Sequence, residues 1–330
     1  MNDIIIDFFL HYPALVDILS DAIYVCPLDN PIVNSELSKQ HCIKYNIKYI
    51  DKIPNKINNC FFIFPLLNID IRHEPIRHQK FINCLEYYSN IVNAEKIIIL
   101  DNHDYAILPE LKLLDTIKYN FILKRNYHNN ITYPSNVKPF HFIDCCGNFD
   151  PIKFILNNNN IKYTKDKINK IWFSGSIYNH EDKILNTFTN RVNIMQELNK
   201  YNIIDIIPRK PHKEYLNTIG KYKYAISLMG CSSWGTRHYE ILSQSTILFS
   251  QACNTIPNPL NHIFPFDNPE IQFSTYNFFD SPEDLYNKYL QLEQEPKLYE
   301  NVLTNQIKVV KYYYNKNYIK NIIVKYINAI

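Results

Sequence analysis

The chain has 330 residues, 35 Lys+Arg against 32 Asp+Glu, and a formal net charge of +3. Hydrophobic residues make up 46% and charged residues 20%, which supplies packed cores and excludes a disordered chain. The weak charge speaks against a dedicated nucleic-acid binder, and at roughly 150 residues per domain the length predicts two domains.

The first thirteen residues, MNDIIIDFFLHYP, form an apolar run interrupted by Asp7. The run lacks a basic start and is too short for a secretory signal. Strands are then predicted at Ala22–Pro27, Cys60–Pro65, Lys96–Leu100 and Asn120–Lys124, with a helix over Gln79–Asn93. Residues 149–170, with an Asn run and no apolar periodicity, read as a linker. After it come strands at Lys170–Ser174, Ile203–Ile207, Tyr224–Met229 and Thr246–Ser250, with helices over Glu181–Lys200, Lys213–Lys221 and Thr236–Ser243. Strands alternating with helices of this length predict βαβ units and parallel sheets. From Ser281 onward the chain reads as one short and one long helix, with Pro282 and Pro296 in their first turns. The basic, Tyr-rich end has apolar residues at helical spacing and is expected to pack on the body. The resulting domains are 1–160, 161–300 and a terminal helix in 301–330 that crosses back to the N-terminal domain.

No stretch approaches the roughly 18 to 20 uncharged apolar residues of a membrane span, so no transmembrane segment is expected. The eight cysteines include no C-x-x-C pair and read as reduced thiols in a cytosol-like compartment. The chain is crowded with Asn, Ile, Lys and Tyr, whose codons are AT-rich. That bias suits a large DNA virus, a protist or an AT-rich bacterium, and localisation is expected to be cytoplasmic, the host cytoplasm if viral.

Only five glycines occur, where ordinary usage would give about 23. Their scarcity excludes the G-x-G-x-x-G fingerprint and the G-x-x-x-x-G-K-[ST] phosphate loop. Four of the five, Gly175, Gly220, Gly230 and Gly235, lie between positions 175 and 235, and the fifth is Gly147. In YKYAISLMGCSSWGTRHYEILSQSTILFSQ, residues 222–251, a strand runs into a loop with Gly230, Ser232, Ser233 and Gly235. A helix follows with Thr236 as N-cap and Arg237 and Glu240 in its first turn. A strand's carboxyl end meeting a helix start is where open α/β sheets bind ligands, and free N–H groups there favour phosphate. Arg237 adds a bidentate fork for phosphate oxygens, and Glu240 has the reach to accept from ribose hydroxyls. The alternative is a plain i,i+3 ion pair between Arg237 and Glu240. In KIWFSGSI, residues 170–177, a second strand runs into Ser174–Gly175–Ser176.

These stretches resemble the donor-binding element of GT-B glycosyltransferases, especially the exostosin-like and protein O-glucosyltransferase-like (capsule-type) families. The order Gly230, Ser232, Ser233, Arg237, Glu240 and the turn into Ser250 carries the resemblance. The small turn usually holds glycine in those families, whereas here it is Ser243, Gln244 and Ser245. KIWFSGSI, with Arg191 in the next helix and Tyr215 in the helix before the donor strand, fits the same pattern. The resemblance covers residues 168–300. It implies an α/β protein of GT-B fold, two Rossmann-like domains with parallel sheets facing across a cleft. It implies a glycosyltransferase moving a hexosyl or pentosyl unit from a nucleotide-sugar, a UDP-sugar, to a hydroxyl of a glycan or glycoprotein.

Donor ligands are then Arg237, Glu240, Ser174, Gly175, Ser176, Gly230, Ser232, Ser233, Gly235 and Thr236. Transfer with inversion needs a base for the acceptor hydroxyl. The loop after Leu100 presents Asp101, His103 and Asp104, and His103–Asp104 resembles a His-Asp pair of exostosin-like proteins. Lys124 and Arg125, at a strand end, are candidates for acceptor or phosphate. Many retaining GT-B enzymes carry two glutamates eight positions apart; the position eight before Glu240 is Ser232, which favours inversion. No D-x-D occurs, and HEPIRH, residues 73–78, spaces its histidines five apart around Pro75. Hence no metal, no cofactor and no nucleic-acid partner is expected. A catalytically inactive glycan- or partner-binding GT-B domain and another sugar-nucleotide enzyme, such as an epimerase, are the alternatives.

Overall fold

The computed structural model describes residues 3–7, 18–19, 22–25, 35–44, 46, 48–50, 55–64, 94–101, 118–124, 127, 131–140, 166–178, 180–182, 187–229, 236–251, 268 and 270–329. They form two compact units. Unit 1 comprises Met1–Tyr127, Ile131–Asp150 and Lys316–Ile330, and unit 2 comprises His128–Asn130 and Pro151–Asn315.

Unit 1 is built on seven strands: β1 (Asp3–Asp7), β2 (Ile23–Val25), β3 (Tyr49–Ile50), β4 (Ile57–Phe64), β5 (Ala94–Asp101), β6 (Phe121–Lys124) and β7 (Val137–Pro139), with helix α1 (Ser35–Lys44) between β2 and β3. The sheet order is β3-β2-β1-β4-β5-β6-β7, and every pairing is parallel. Successive residues Ile97, Ile98, Ile99 and Leu100 are all buried, the pattern of a parallel strand covered on both faces. The β1 run, read from sequence only as too short for a signal, is an inner strand between β2 and β4.

Unit 2 holds β8 (Ile168–Phe173), β11 (Ile204–Ile206), β12 (Tyr222–Ser227), β13 (Ile247–Gln251) and β14 (Phe278–Phe279) in one parallel sheet, order β11-β8-β12-β13-β14. Its helices are α2 (Arg191–Lys200), α3 (His212–Ile219), α4 (Thr236–Leu242), α5 (Pro282–Gln294) and α6 (Pro296–Tyr313). One face of the sheet, through Ile171, Phe173, Tyr224, Ile226, Ile247 and Phe249, shares a core with Ile194 and Leu198 of α2, Leu285 and Leu292 of α5 and Val302 of α6. The other face carries Trp172, Ser227 and Ser250, and meets α3 and α4 through Tyr215 and His238. Burying each large apolar side chain contributes roughly 1.5–3 kcal/mol.

Two sequence expectations change here. The helix predicted over Glu181–Lys200 begins only at Arg191. Ahead of it lies an antiparallel pair, β9 (His180–Asp182) and β10 (Thr187–Thr189), because Thr187-Phe188-Thr189 is β-branched and aromatic. The two-helix tail is three helices, the last being α7 (Lys316–Asn328). A break at Tyr314–Asn315 separates α6 from α7, and α7 belongs to unit 1. Lys96 on β5 donates to the Ile327 carbonyl at 2.7 Å, and Phe121 meets Tyr326 at 5.7 Å between ring centroids. Apart from residues 128–130, which group with unit 2, the chain passes between units after 150 and after 315; the sequence reading places its boundaries at 160 and 300. The later crossing follows from α6, whose Gln306 joins the unit 2 sheet by accepting from Leu248 N and donating to Thr246 O. The helix predicted over Gln79–Asn93 lies outside the described residues.

Candidate functional site

The order of the unit 2 sheet makes a switch point. From β8 the chain proceeds to β11 on one side, and from β12 to β13 on the other. In such sheets ligands bind outside the carboxyl ends of the two strands where the direction reverses. Here those strands are β8 and β12, so the ends at Phe173 and Ser227 define the place. Past Phe173, Ser174 is buried while Gly175 and Ser176 are exposed.

Arg237, in the first turn of α4, lies against this loop. Its guanidinium carbon is 5.2 Å from the centroid of the Phe173 ring, a cation–π contact. A Cβ placed on Gly175 would fall 3.1 Å from Cζ and from Nη1, and closer still to Nη2. The loop and the helix that the sequence singled out separately therefore meet, and the absence of a side chain at 175 is what admits the guanidinium. The Arg237 Nε–H is buried and has no acceptor among the described residues. A buried unsatisfied donor of a charged group is costly, and an incoming oxyanion would relieve it.

Glu240, one turn further, is 8% exposed. Its Oε1 is 2.8 Å from Nε2 of His212, the first residue of α3. The Tyr215 hydroxyl lies within electrostatic reach of both Glu240 and Arg237. Burial, with the Glu240 charge next, pushes this phenol well above its ordinary range, so it is a proton donor at neutral pH. Tyr215 meets Trp172 edge-on at 4.9 Å and stacks on His212 at 5.8 Å. Arg237 and Glu240 are thus not an isolated i,i+3 pair. Both also act electrostatically on Tyr215 of α3.

Side chains lace the strand ends together. Arg191, the first residue of α2, donates from Nε to Met229 O at 2.9 Å and from Nη1 to Ser176 O at 3.2 Å. It ties the β8 loop to the residues after β12. Gln251 accepts from Met229 N at 3.0 Å. His238 bridges Ser227 on β12 and Ser250 on β13. Sequence reasoning missed His212, His238, Gln251 and the aromatic floor of Trp172 and Phe173. The signals for His238 are the serines that close the apolar runs YAIS and LFS. For His212, 28 residues from Glu240, no local signal exists.

In unit 1, Asp101 ends β5 and Lys124 ends β6, and the two are paired in register. Lys124 Nζ donates to Asp101 Oδ2 at 2.7 Å, with the two side chains 0% and 1% exposed. His103, Asp104 and Arg125, and in unit 2 Gly230, Ser232, Ser233 and Gly235, lie outside the described residues. Thr236 is the first residue of α4. Among the described residues no group of three or more His, Cys, Asp or Glu could hold a metal ion, and no helix is long and apolar enough to cross a membrane.

No protein-family profile matches the chain, and no curated protein matches its sequence. Solved structures do match. The β-glucosyltransferase of phage T4 with UDP and Mn2+ aligns with a TM-score of 0.52 at 10% identity, covering 99% of this chain and 100% of that one. A structure described as the DNA-modifying enzyme β-glucosyltransferase gives 0.54 at 10% identity over 99% and 100%. HepE of Anabaena with UDP gives 0.50 at 8% identity over 100% of both chains. These structural neighbours are GT-B glycosyltransferases, and the fold of this chain, two parallel-sheet α/β units, is GT-B.

Proposed function

We propose that the protein is a glycosyltransferase that moves a sugar from a UDP-sugar to a hydroxyl acceptor, with inversion and without a metal. One observation carries the reading. Arg237, its open Nε–H, Gly175 and Glu240 converge outside the carboxyl end of β8, at the switch point of a GT-B donor unit. Structural neighbours of the same fold hold UDP, which supports uridine as the nucleoside. The order of residues 230–250 supports a finer likeness to exostosin-like and protein O-glucosyltransferase-like enzymes.

In this reading the Arg237 guanidinium binds the diphosphate. It gains most as the sugar–oxygen bond breaks and charge builds on the leaving group, so it lowers the barrier rather than only the dissociation constant. The exposed backbone of Gly175 and Ser176 lets phosphate oxygens come close. Glu240, oriented by His212 and Tyr215, accepts from the ribose hydroxyls. Gly230, Ser232, Ser233, Gly235 and Thr236 complete the phosphate lining. Unit 1 supplies the base from the segment that starts at the end of β5: Asp101, held by Lys124, or His103 with Asp104. The base takes the acceptor proton, the acceptor oxygen bonds to the anomeric carbon, and UDP departs with the electrons of the broken bond. Arg125 is assigned to the acceptor or phosphate.

The acceptor is a hydroxyl of a glycan or protein. DNA is the competing class, because one neighbour is described as DNA-modifying; the net charge of +3 weighs against it. The test is a product-release screen of the full chain with UDP-, GDP-, CMP- and TDP-sugars, with and without EDTA, against glycan, peptide and DNA acceptors. Cleavage of a UDP-sugar that survives EDTA is the expected result. No cleavage of any sugar nucleotide would overturn the reading.

A further inference from the structure

Arg237 needs something to hold it against Gly175. Helix α4 has seven residues, Thr236–Leu242, about two turns. So short a helix has little rigidity of its own, and its rotation must be set by what its side chains grip.

His238 is 2% exposed, and it is the neighbour of Arg237 in the same turn. Its Nδ1 is 3.2 Å from Ser227 Oγ and its Nε2 is 2.8 Å from Ser250 Oγ. Ser227 and Ser250 are paired across β12 and β13 and are 3% and 2% exposed. The imidazole therefore spans two adjacent strands at a single register position. A hydroxyl both donates and accepts, so the two serines satisfy both ring nitrogens in either neutral tautomer. Two bonds fix the ring in its plane and so fix the rotation of α4 on the sheet. Successive residues project about 100° apart around a helix, so a fixed His238 fixes the direction of Arg237. On the next position Tyr239, fully buried, meets Tyr314 edge-on at 5.1 Å and steadies the same turn.

We propose that His238, clamped between the Ser227 and Ser250 hydroxyls, is the positioning residue that aims Arg237 at the Gly175 loop. The proposal rests on the reading of Arg237 as the diphosphate ligand, so its test has one readout that needs no nucleotide. That readout is modification of Arg237 by phenylglyoxal, followed by peptide mapping. The second is UDP binding by calorimetry.

In His238→Phe, which keeps a ring but loses both bonds, Arg237 is modified about tenfold faster and UDP binds about tenfold more weakly. His238→Gln, whose amide offers a donor and an acceptor, moves both values back towards wild type. Ser227→Ala combined with Ser250→Ala removes the same bonds with little change in volume, and gives the same two shifts should His238→Phe fail to fold. Unchanged Arg237 reactivity and UDP affinity in these variants overturns the proposal. If Arg237 reactivity follows His238 while wild type binds no UDP, the positioning role stands and the donor reading falls.

Discussion

The guanidinium of Arg237 occupies the space that a side chain at Gly175 would need. A Cβ there would sit 3.1 Å from Cζ, tighter than ordinary van der Waals contact, and the crowding atoms are the far end of a flexible side chain. Gly175→Ala therefore leaves the sheet intact and pushes the guanidinium off its rotamer. An off-rotamer side chain costs about 0.5–1.5 kcal/mol, so UDP affinity falls by up to about tenfold. The thermal midpoint falls as well, because Gly175 has φ +158°, a backbone conformation that residues with a side chain rarely adopt. Equal affinity in Gly175→Ala by calorimetry would show that the contact does not set the arginine.

Glu240 has a different signature, because its assigned partner is the ribose. A hydrogen bond to a charged group contributes about 1.5–3 kcal/mol, so wild type favours UDP over 2′,3′-dideoxy-UDP by roughly ten- to a hundredfold. In Glu240→Gln the charge is gone and that ratio shrinks to a few-fold. A ratio unchanged by the substitution removes Glu240 from the ribose.

The buried pair of Asp101 and Lys124 predicts both stability and activity. Removing one partner of a buried ion pair costs about 3–5 kcal/mol, whereas replacing both by apolar groups costs far less. Asp101→Ala lowers the urea midpoint sharply, and Asp101→Ala with Lys124→Met recovers a large part of it. Sugar transfer is lost in both while UDP binding in unit 2 persists. Full transfer in the double variant would move the base to His103 or Asp104.

Lys167 gives a pH dependence with a definite sign. Its ammonium donates to Ser245 O at 2.6 Å, Gln244 O at 3.1 Å and Thr246 Oγ1 at 3.2 Å, and burial lowers its pKa from 10.5 to about 8. Between these values the unfolded chain holds more protons than the folded one, so stability rises with pH across that window. The contribution grows by about 2 kcal/mol between about pH 7.5 and about pH 9.5. Tyr222, raised to about 12 by burial and then by its bond to Asp205, acts with the opposite sign above about pH 10. Urea denaturation of wild type and Lys167→Met at the two pH values isolates the lysine. A parallel pH trend in both proteins contradicts the assignment.

How much of this was legible in sequence depended on range. The β12–α4–β13 run was legible because a strand, a loop and a helix start follow one another in YAISLMGCSSWGTRHYE. KIWFSGSI was legible because glycine is so scarce in this chain. That the two meet was not legible, since the contact of Gly175 with Arg237 spans 62 positions and depends on the order β11-β8-β12. His212 reaches Glu240 only through the packing of α3 beside α4, and apolar periodicity carries no information about that pairing. The β9–β10 hairpin was hidden for another reason: the stretch ahead of Arg191 is mostly polar, and only the Thr-Phe-Thr triplet signals a strand.

In the proposed function Arg237 receives the diphosphate of a UDP-sugar. The most direct measurement is UDP binding by calorimetry to the full chain and to Arg237→Ala and Arg237→Lys. Wild type binds UDP, Arg237→Ala loses at least about a hundredfold in affinity, and lysine, which lacks the planar fork and the Nε–H, rescues poorly. Binding of UDP to Arg237→Ala with wild-type affinity would contradict it.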